Sequence, residues 1–425
     1  MSGRRVTRAL AVACALMLTA QCGFALGKRK REATPPEPAI RATQAPAFSI
    51  PADALGFATP GALYQGQRYV FVSLDFLDEN RLLFTFRAPG LQRRQDGEDE
   101  QRQIRALVLH LPDGAVESEA LWTLHDQARY LWMLDGGRFI VRDGASLFES
   151  DATLELKLKL HFPGPVEWLE TDPERTFFVT SSREPENAPQ RKGDVDSPAS
   201  ARAEVRSDEG GEEGKPPLVL RILDRASGKV MMVSRVRSIA HLPINREGYL
   251  EALRGREREW LLTFEQFTGE YKIVARAQST CMPSLEFLTE QVFTAGVCDG
   301  SGGRALVAIS LDGHKQWAID SPAEHVWPRT TVSRDGRLLA LETLVMNHAV
   351  TAFQPLSFDD VKGQLVEVFD VVTGKRLLAA PASPVLDGGG NVALSPDGRR
   401  AAVLNGGSIE VYDLPPSVPL SATPR

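Results

Sequence analysis

Cysteine is scarce in this chain, four in 425 residues. No histidine or further cysteine stands at ligand spacing from Cys281 or Cys298, which argues against a metal-thiolate site. No apolar run reaches the roughly 20 residues that a membrane-crossing helix requires, so no transmembrane domain is expected in the mature chain. Charge of one sign is lacking too: the formal net charge is only −6, which offers no electrostatic footprint for nucleic acid. There is no Gly-x-Ser-x-Gly elbow and no second domain of a size that could hold one, which argues against a peptidase built on that nucleophile. The glycine-rich stretches CDGSGGR and LDGGGN carry neither the lysine nor the Ser/Thr of a phosphate loop and open no helix. They read as turns.

Apolar residues are plentiful, 43% against 24% charged, enough for a substantial core. At the start, Arg4, Arg5 and Arg8 precede the apolar run ALAVACALMLTA, and the small-residue stretch CGFALG follows. This is the three-part form of a secretory signal. Residues 1–25 are therefore read as a signal peptide cleaved near Ala25, placing the mature chain in the periplasm or outside the cell. The alternatives are a membrane tether through an uncleaved signal or through lipidation of Cys22, although Gln21 stands where lipidation requires a small residue. Cleavage leaves Cys281 and Cys298, a candidate disulfide in an oxidising compartment. Residues 26–56, rich in Pro, Ala and charge, read as a flexible linker, and 417–425 as a flexible tail.

A short apolar run, a tight turn and a second apolar run recur along the rest. In NVALSPDGRRAAVLNGGSIEVYDL, residues 392–395, 400–404 and 409–412 read as strands, separated by the Pro, Asp and Gly that a reversal needs. TTVSRDGRLLALETL with LVEVFDVVTGKRLLAA repeats the order and adds a fourth strand. Less regular copies begin at LDFLDENRLLFTFRA, YLWMLDGGRFIVRDG, LETDPERTFFVTSS, YLEALRGREREWLLTF and SLEFLTEQVFTAG. About seven units of roughly 40–50 residues match the period of propeller blades. A four-stranded blade cannot bury both its faces alone, so blades must stack, and a closed ring leaves no unpaired end. The expected fold is all-β, a single propeller of seven four-stranded antiparallel blades over residues 57–416, closed by a strand from about Ala62 to Val72.

The stretches VSRDGRLLALE and LSPDGRRAAVL, each followed by VFDVVTGK or VYDL, resemble the WD-like repeats of bacterial secreted and periplasmic propellers of the Tol-system type. That resemblance implies a propeller outside the cytoplasm. With strands lettered a to d outward from the channel, b-to-c and d-to-a connections leave one face of such a ring. Three long insertions fall between b and c: PGLQRRQDGEDEQRQI, residues 184–217, and MNHAVTAFQPLSFDDVKGQ. The second is poor in apolar residues and reads as disordered. The third carries Phe353, Leu356 and Phe358, candidates either for contact with a protein or cell-envelope component or for tucking under the loop to cap the channel.

Chemistry is sparse. His125, His241, Glu324 and His325 lie between predicted d and a strands and would approach the channel mouth only if each pointed inward. Two readings from different classes follow. One is a monomeric, non-catalytic scaffold that binds protein or ligand through the insertion-bearing face and needs no cofactor. The other is a propeller enzyme, a lactonase-like hydrolase or a lyase, in which those four residues hold a divalent metal. Trp122, Trp132, Trp168, Trp317 and Trp327 are expected to pack between blades rather than to stack on carbohydrate.

Overall fold

The turns carry the architecture. In the SPDG turn, the Ser395 hydroxyl donates to Asp397 Oδ1 at 2.7 Å and accepts the Arg400 amide at 2.8 Å, while Gly398 takes φ 66°. Ser333, Asp335 and Gly336 (φ 69°) repeat the arrangement in SRDG. A positive φ is strained for any residue with a Cβ, so glycine fixes where the chain reverses. A second turn type also recurs: the carboxylates of Asp224 and Asp370 accept the amides of Ser227 and Thr373 at 2.7 and 2.8 Å.

These turns build sheets in a computed structural model that describes residues 40–58, 72–88, 102–125, 129–184, 218–236, 241–351, 356–386 and 388–416. After a first short strand, β1 (Phe48–Pro51), blade 1 comprises β2 (Val72–Asp78), β3 (Arg81–Arg87), β4 (Arg102–His110) and β5 (Val116–Leu124). Blade 2 is β6 (Leu131–Met133), β7 (Phe139–Asp143), β8 (Ser146–Ser150) and β9 (Lys157–His161). Blade 3 is β10 (Val166–Thr171), β11 (Phe177–Arg183), β12 (Leu218–Asp224) and β13 (Val230–Val236). Blade 4 has three regular strands, β14 (Gly248–Arg254), β15 (Glu259–Gln266) and β16 (Tyr271–Gln278). Blade 5 is β17 (Ser284–Phe287), β18 (Val292–Cys298), β19 (Arg304–Ser310) and β20 (Lys315–Ser321). Blade 6 is β21 (His325–Val332), β22 (Leu338–Met346), β23 (Val361–Asp370) and β24 (Arg376–Ala382). Blade 7 is β25 (Val392–Leu394), β26 (Arg400–Asn405) and β27 (Ser408–Asp413), completed by β1. The fold is an all-β, seven-bladed propeller.

Side chains of each strand alternate between two faces, and each face meets a neighbouring blade. In β4, Ile104, Ala106 and Val108 pack toward Phe139 and Val141 of blade 2, whereas Leu107 and Leu109 pack toward Ala402 and Val411 of blade 7. Comparable apolar seams join each successive pair around the ring. Trp122 lies in the seam between blades 1 and 2 with Nε1 donating to the Leu154 carbonyl at 3.2 Å, and Trp317 in that between blades 5 and 6 with Nε1 on the Val371 carbonyl at 2.6 Å. Their polar ends are satisfied inside the core.

Two features depart from the sequence reading. Closure falls to β1, which lies inside the segment read as linker: Phe48–Pro51 pairs antiparallel with Ser408–Val411. Of the strand proposed from Ala62 to Val72, residues 62–71 lie outside the described residues, and Val72 opens β2 of blade 1. Ile50, 2% exposed, explains the choice, because it is buried in the seam between blades 7 and 1. Blade 4 is irregular as well. Its innermost position is taken by residues 241–245, tied to β14 by a single bridge between Ile244 and Tyr249 and by the Leu250 amide on the Pro243 carbonyl at 2.9 Å. Pro243 has no N–H to give a ladder.

Cys281 and Cys298 are bonded, with Cα atoms 5.6 Å apart, and tie the connection between blades 4 and 5 to β18. In the chain-entropy account a loop of this length contributes about 3 kcal/mol. The double variant Cys281→Ser/Cys298→Ser is expected to unfold at a clearly lower urea concentration than the oxidised protein. A midpoint equal to that of the oxidised protein would contradict this contribution.

Candidate functional site

The innermost strands surround a cavity of about 200 Å³. Its wall is charged: Asp75 from β2, Arg129 before β6, Glu170 from β10, His241 from the irregular inner segment, Glu286 from β17 and Arg329 from β21. Asp172 and Arg175, in the first turn of blade 3, and Arg334, in that of blade 6, line the end of the cavity beside the a-to-b turns. Inner strands are short and their neighbours close, so alternate side chains must face the axis whatever their polarity.

The carboxylates have partners. Asp75 Oδ2 accepts the Ser73 hydroxyl at 2.6 Å, and Asp172 accepts the Phe177 amide at 2.6 Å and the Thr176 hydroxyl at 2.8 Å. Glu286 accepts the Thr330 hydroxyl from the neighbouring blade. Burial pushes the Glu286 carboxyl up to about 7, and the Glu170 charge adds to this against the pull of His241, Arg129 and Arg329. Burial also raises Asp75 and Asp172. Behind the wall, the fully buried Glu342 accepts the Gly390 amide at 3.0 Å.

The arginines are less engaged. Arg129 donates through Nε to the Leu131 carbonyl at 3.1 Å, with its guanidinium 5.0 Å from the centre of the Trp132 ring. Arg175 donates to the Leu134 carbonyl at 3.1 Å. Arg329 Nε is buried without a hydrogen bond and lies 4.0 Å from Glu342. Burial, with Arg329 nearby, lowers Arg129 to about 9; burial, with Arg334 nearby, lowers Arg175 to about 10. Both guanidinium groups stay charged at neutral pH.

His241 is committed at both ring nitrogens. Nδ1–H donates to Glu170 and Nε2–H to the Leu285 carbonyl at 2.7 Å. Both partners are acceptors, so the ring must carry two protons. Burial opposes that charge, but the Glu170 contact overrides it and raises the pKa to about 9. A doubly protonated ring can neither ligate a metal nor accept a proton. Instead His241 clamps blade 3 to blade 5 across the irregular inner segment of blade 4, with the Trp168 ring edge-on at 6.1 Å.

The other residues singled out in the sequence do not join it. His125 Nδ1 lies 3.2 Å from Asp143 in the connection between blades 1 and 2. His325 opens β21, its carbonyl accepting from Arg304 at 3.0 Å, and burial lowers its pKa. Neither these two histidines nor Glu324 line the cavity. Among the described residues, no three His, Cys, Asp or Glu are grouped to hold a metal ion. His125, His241, Glu324 and His325 are thus not gathered into one donor set. Of the binding-face residues, Leu356 is 40% exposed, while Phe353 and the Phe358 side chain lie outside the described residues. The long connections do join strands b and c, in blades 1, 3 and 6. They leave the face opposite the a-to-b turns that edge the cavity.

Asp75, Arg129, Glu170, Arg175, Glu286 and Arg329 were not singled out in the sequence. Their one local signal is a charge inside a short apolar run, as in SLDFL, SLEFL and WPRTTV.

Fold and site together define a seven-bladed propeller with a charged central channel. No protein-family model matches the chain, and no curated protein matches it. Among solved structures it is similar to the acylaminoacyl peptidase of Pyrococcus horikoshii, at 9% identity and a TM-score of 0.46 over 83% of this chain. The match takes in 53% of the peptidase, so the chain spans about half its length. It is also similar to BBS1N, solved in complex with ARL6DN, at 14% identity and TM-score 0.41 over 90% of this chain and 100% of that one. Hsv2p of Kluyveromyces lactis follows at 12% identity and TM-score 0.36, over 67% of this chain and 73% of that one. Among the described residues, no helix is long and apolar enough to cross a membrane.

Proposed function

We propose that the protein is an exported, non-catalytic propeller of the WD-like type that holds a small charged ligand in its central channel. One observation carries the reading. Among the described residues, His241 is the only candidate of the enzyme reading to reach the cavity, and both its nitrogens are already spent on Glu170 and Leu285. What remains is a polar cavity equivalent to about seven waters, a size suited to a small solute. Export is supported by the N-terminal signal pattern and by the Cys281–Cys298 bond, which suits an oxidising compartment. A protein or cell-envelope partner on the opposite face is supported by the three long b-to-c connections, and the protein would act as a monomer.

The test is a thermal-shift panel of small carboxylates, phosphates, amines and betaines on the mature protein and on Thr171→Trp, which places an indole in the cavity. At least one solute is expected to raise the Tm of the wild type by several degrees and to leave Thr171→Trp unmoved. A panel without any shift, or equal shifts in both proteins, would refute the channel as a ligand site.

A further inference from the structure

We infer that the channel is a receptor for a small oxyanion, a carboxylate or a phosphate, gripped by Arg129, Arg175 and Arg329. The inference rests on the reading of the channel as a ligand site and names what enters it. It follows from an asymmetry in how the wall's charges are satisfied.

Each acidic group around the cavity is occupied from within the protein: Glu170 by His241, Asp172 by Thr176 and Phe177, Glu286 by Thr330, and Asp75 by Ser73. The guanidinium groups are not. Each presents a fork of N–H donors, yet their hydrogen bonds use one donor on Arg129, one on Arg175 and none on Arg329. None of the three forms an ion pair within hydrogen-bond reach among the described residues, the nearest approach being that of Arg329 to Glu342 at 4.0 Å. Asp75 feels all three arginines at longer range, so it is a common counter-charge that none of them grips. Unused donors in a partly desolvated wall are costly. A planar fork matches carboxylate and phosphate oxygens in a bidentate manner. The raised carboxyl of Glu286 also lessens the negative charge such an anion would meet.

Isothermal titration of the full mature chain with inorganic phosphate, succinate and, separately, the diamine putrescine tests this at low ionic strength. One of the two anions is expected to bind, and their ranking tells a phosphate source from a carboxylate one. Affinity should fall about tenfold or more in Arg129→Gln and in Arg329→Gln, the scale of one lost charge-assisted hydrogen bond. Arg329→Lys, which keeps the charge and loses the fork, should weaken binding while leaving the circular dichroism spectrum and the ligand-free Tm near wild type. Arg376→Gln, which breaks a half-exposed ion pair with Glu367 on blade 6, should bind as the wild type does. Unchanged anion affinity in the channel variants overturns the inference. Binding of putrescine alone, abolished by Asp75→Asn, would also overturn it while leaving the channel as a ligand site. Binding of none of the three probes overturns it as well, and the solute panel then decides separately whether the channel takes any ligand.

Discussion

Glu184→Gln is expected to destabilise the propeller by about 3–5 kcal/mol, the cost of stranding one partner of a buried ion pair. Arg221 and Glu184 are 2% and 6% exposed, and they meet through two parallel contacts of 2.6 and 3.1 Å. Ser182 joins them, donating to Glu184 and accepting from Arg221. The position gives the pair its importance. Glu184 stands where the chain leaves β11 for the long connection of blade 3, and Arg221 stands just after its return in β12. The pair therefore pins the two roots of that connection, so that the strands stay in register whatever the connection does. Chemical denaturation of Glu184→Gln, Arg221→Met and the double variant Glu184→Leu/Arg221→Met checks the claim. Each single variant should lose several kcal/mol, and the double should recover part of the loss because no charge is left unpaired. Single variants as stable as the wild type would show that the pair does not hold the blade.

Removal of residues up to Ala52 is expected to open the ring. The truncation deletes β1 and leaves β27 as a bare edge. It also removes Ile50 from the seam between blades 7 and 1, and the Thr43 contacts with Ala379 at 2.8 and 3.0 Å. An exposed strand edge beside an uncovered apolar face favours association with other chains. The truncated protein should therefore aggregate or melt far below the full chain. Ile50→Ala alone should cost about 2–5 kcal/mol as a buried large-to-small change. Calorimetry and size-exclusion chromatography of the two variants decide the matter: a monomeric truncated protein with wild-type Tm would mean that β1 does not close the ring.

The blades were legible in the sequence because a propeller writes each hairpin locally. Alternating apolar residues specify a half-buried strand, and Asp-Gly or Thr-Gly at fixed offsets specifies the reversal, so LSPDGRRAAVL and VFDVVTGK could be read where they stand. The inner segment of blade 4 was obscured by Pro243, which leaves only a single bridge where other blades have a ladder. The closing strand was hidden for another reason. FSIP is four residues long and ends in proline, within a Pro- and Ala-rich stretch, so its own pattern does not mark it as a strand. Its partner lies in the strand Ser408–Asp413, at the other end of the chain.

By itself the sequence determined the all-β class, the seven repeats, the turns between strands and the placement of the long connections between strands b and c. All of these depend on interactions between neighbouring strands of one blade. Only the tertiary structure decided which strand closes the ring and which charges share the channel. Asp75, Arg129, Glu286 and Arg329 come from four different blades. A charge inside an apolar strand looks alike in sequence whether it faces solvent or the axis of the ring. It becomes part of a site only when the other blades bring theirs to the same axis, and that meeting is a property of closure rather than of any one repeat. His241 shows the same division. In the sequence it was one of four residues able to approach the channel mouth, and the fold gave it two acceptors that turn it into a clamp.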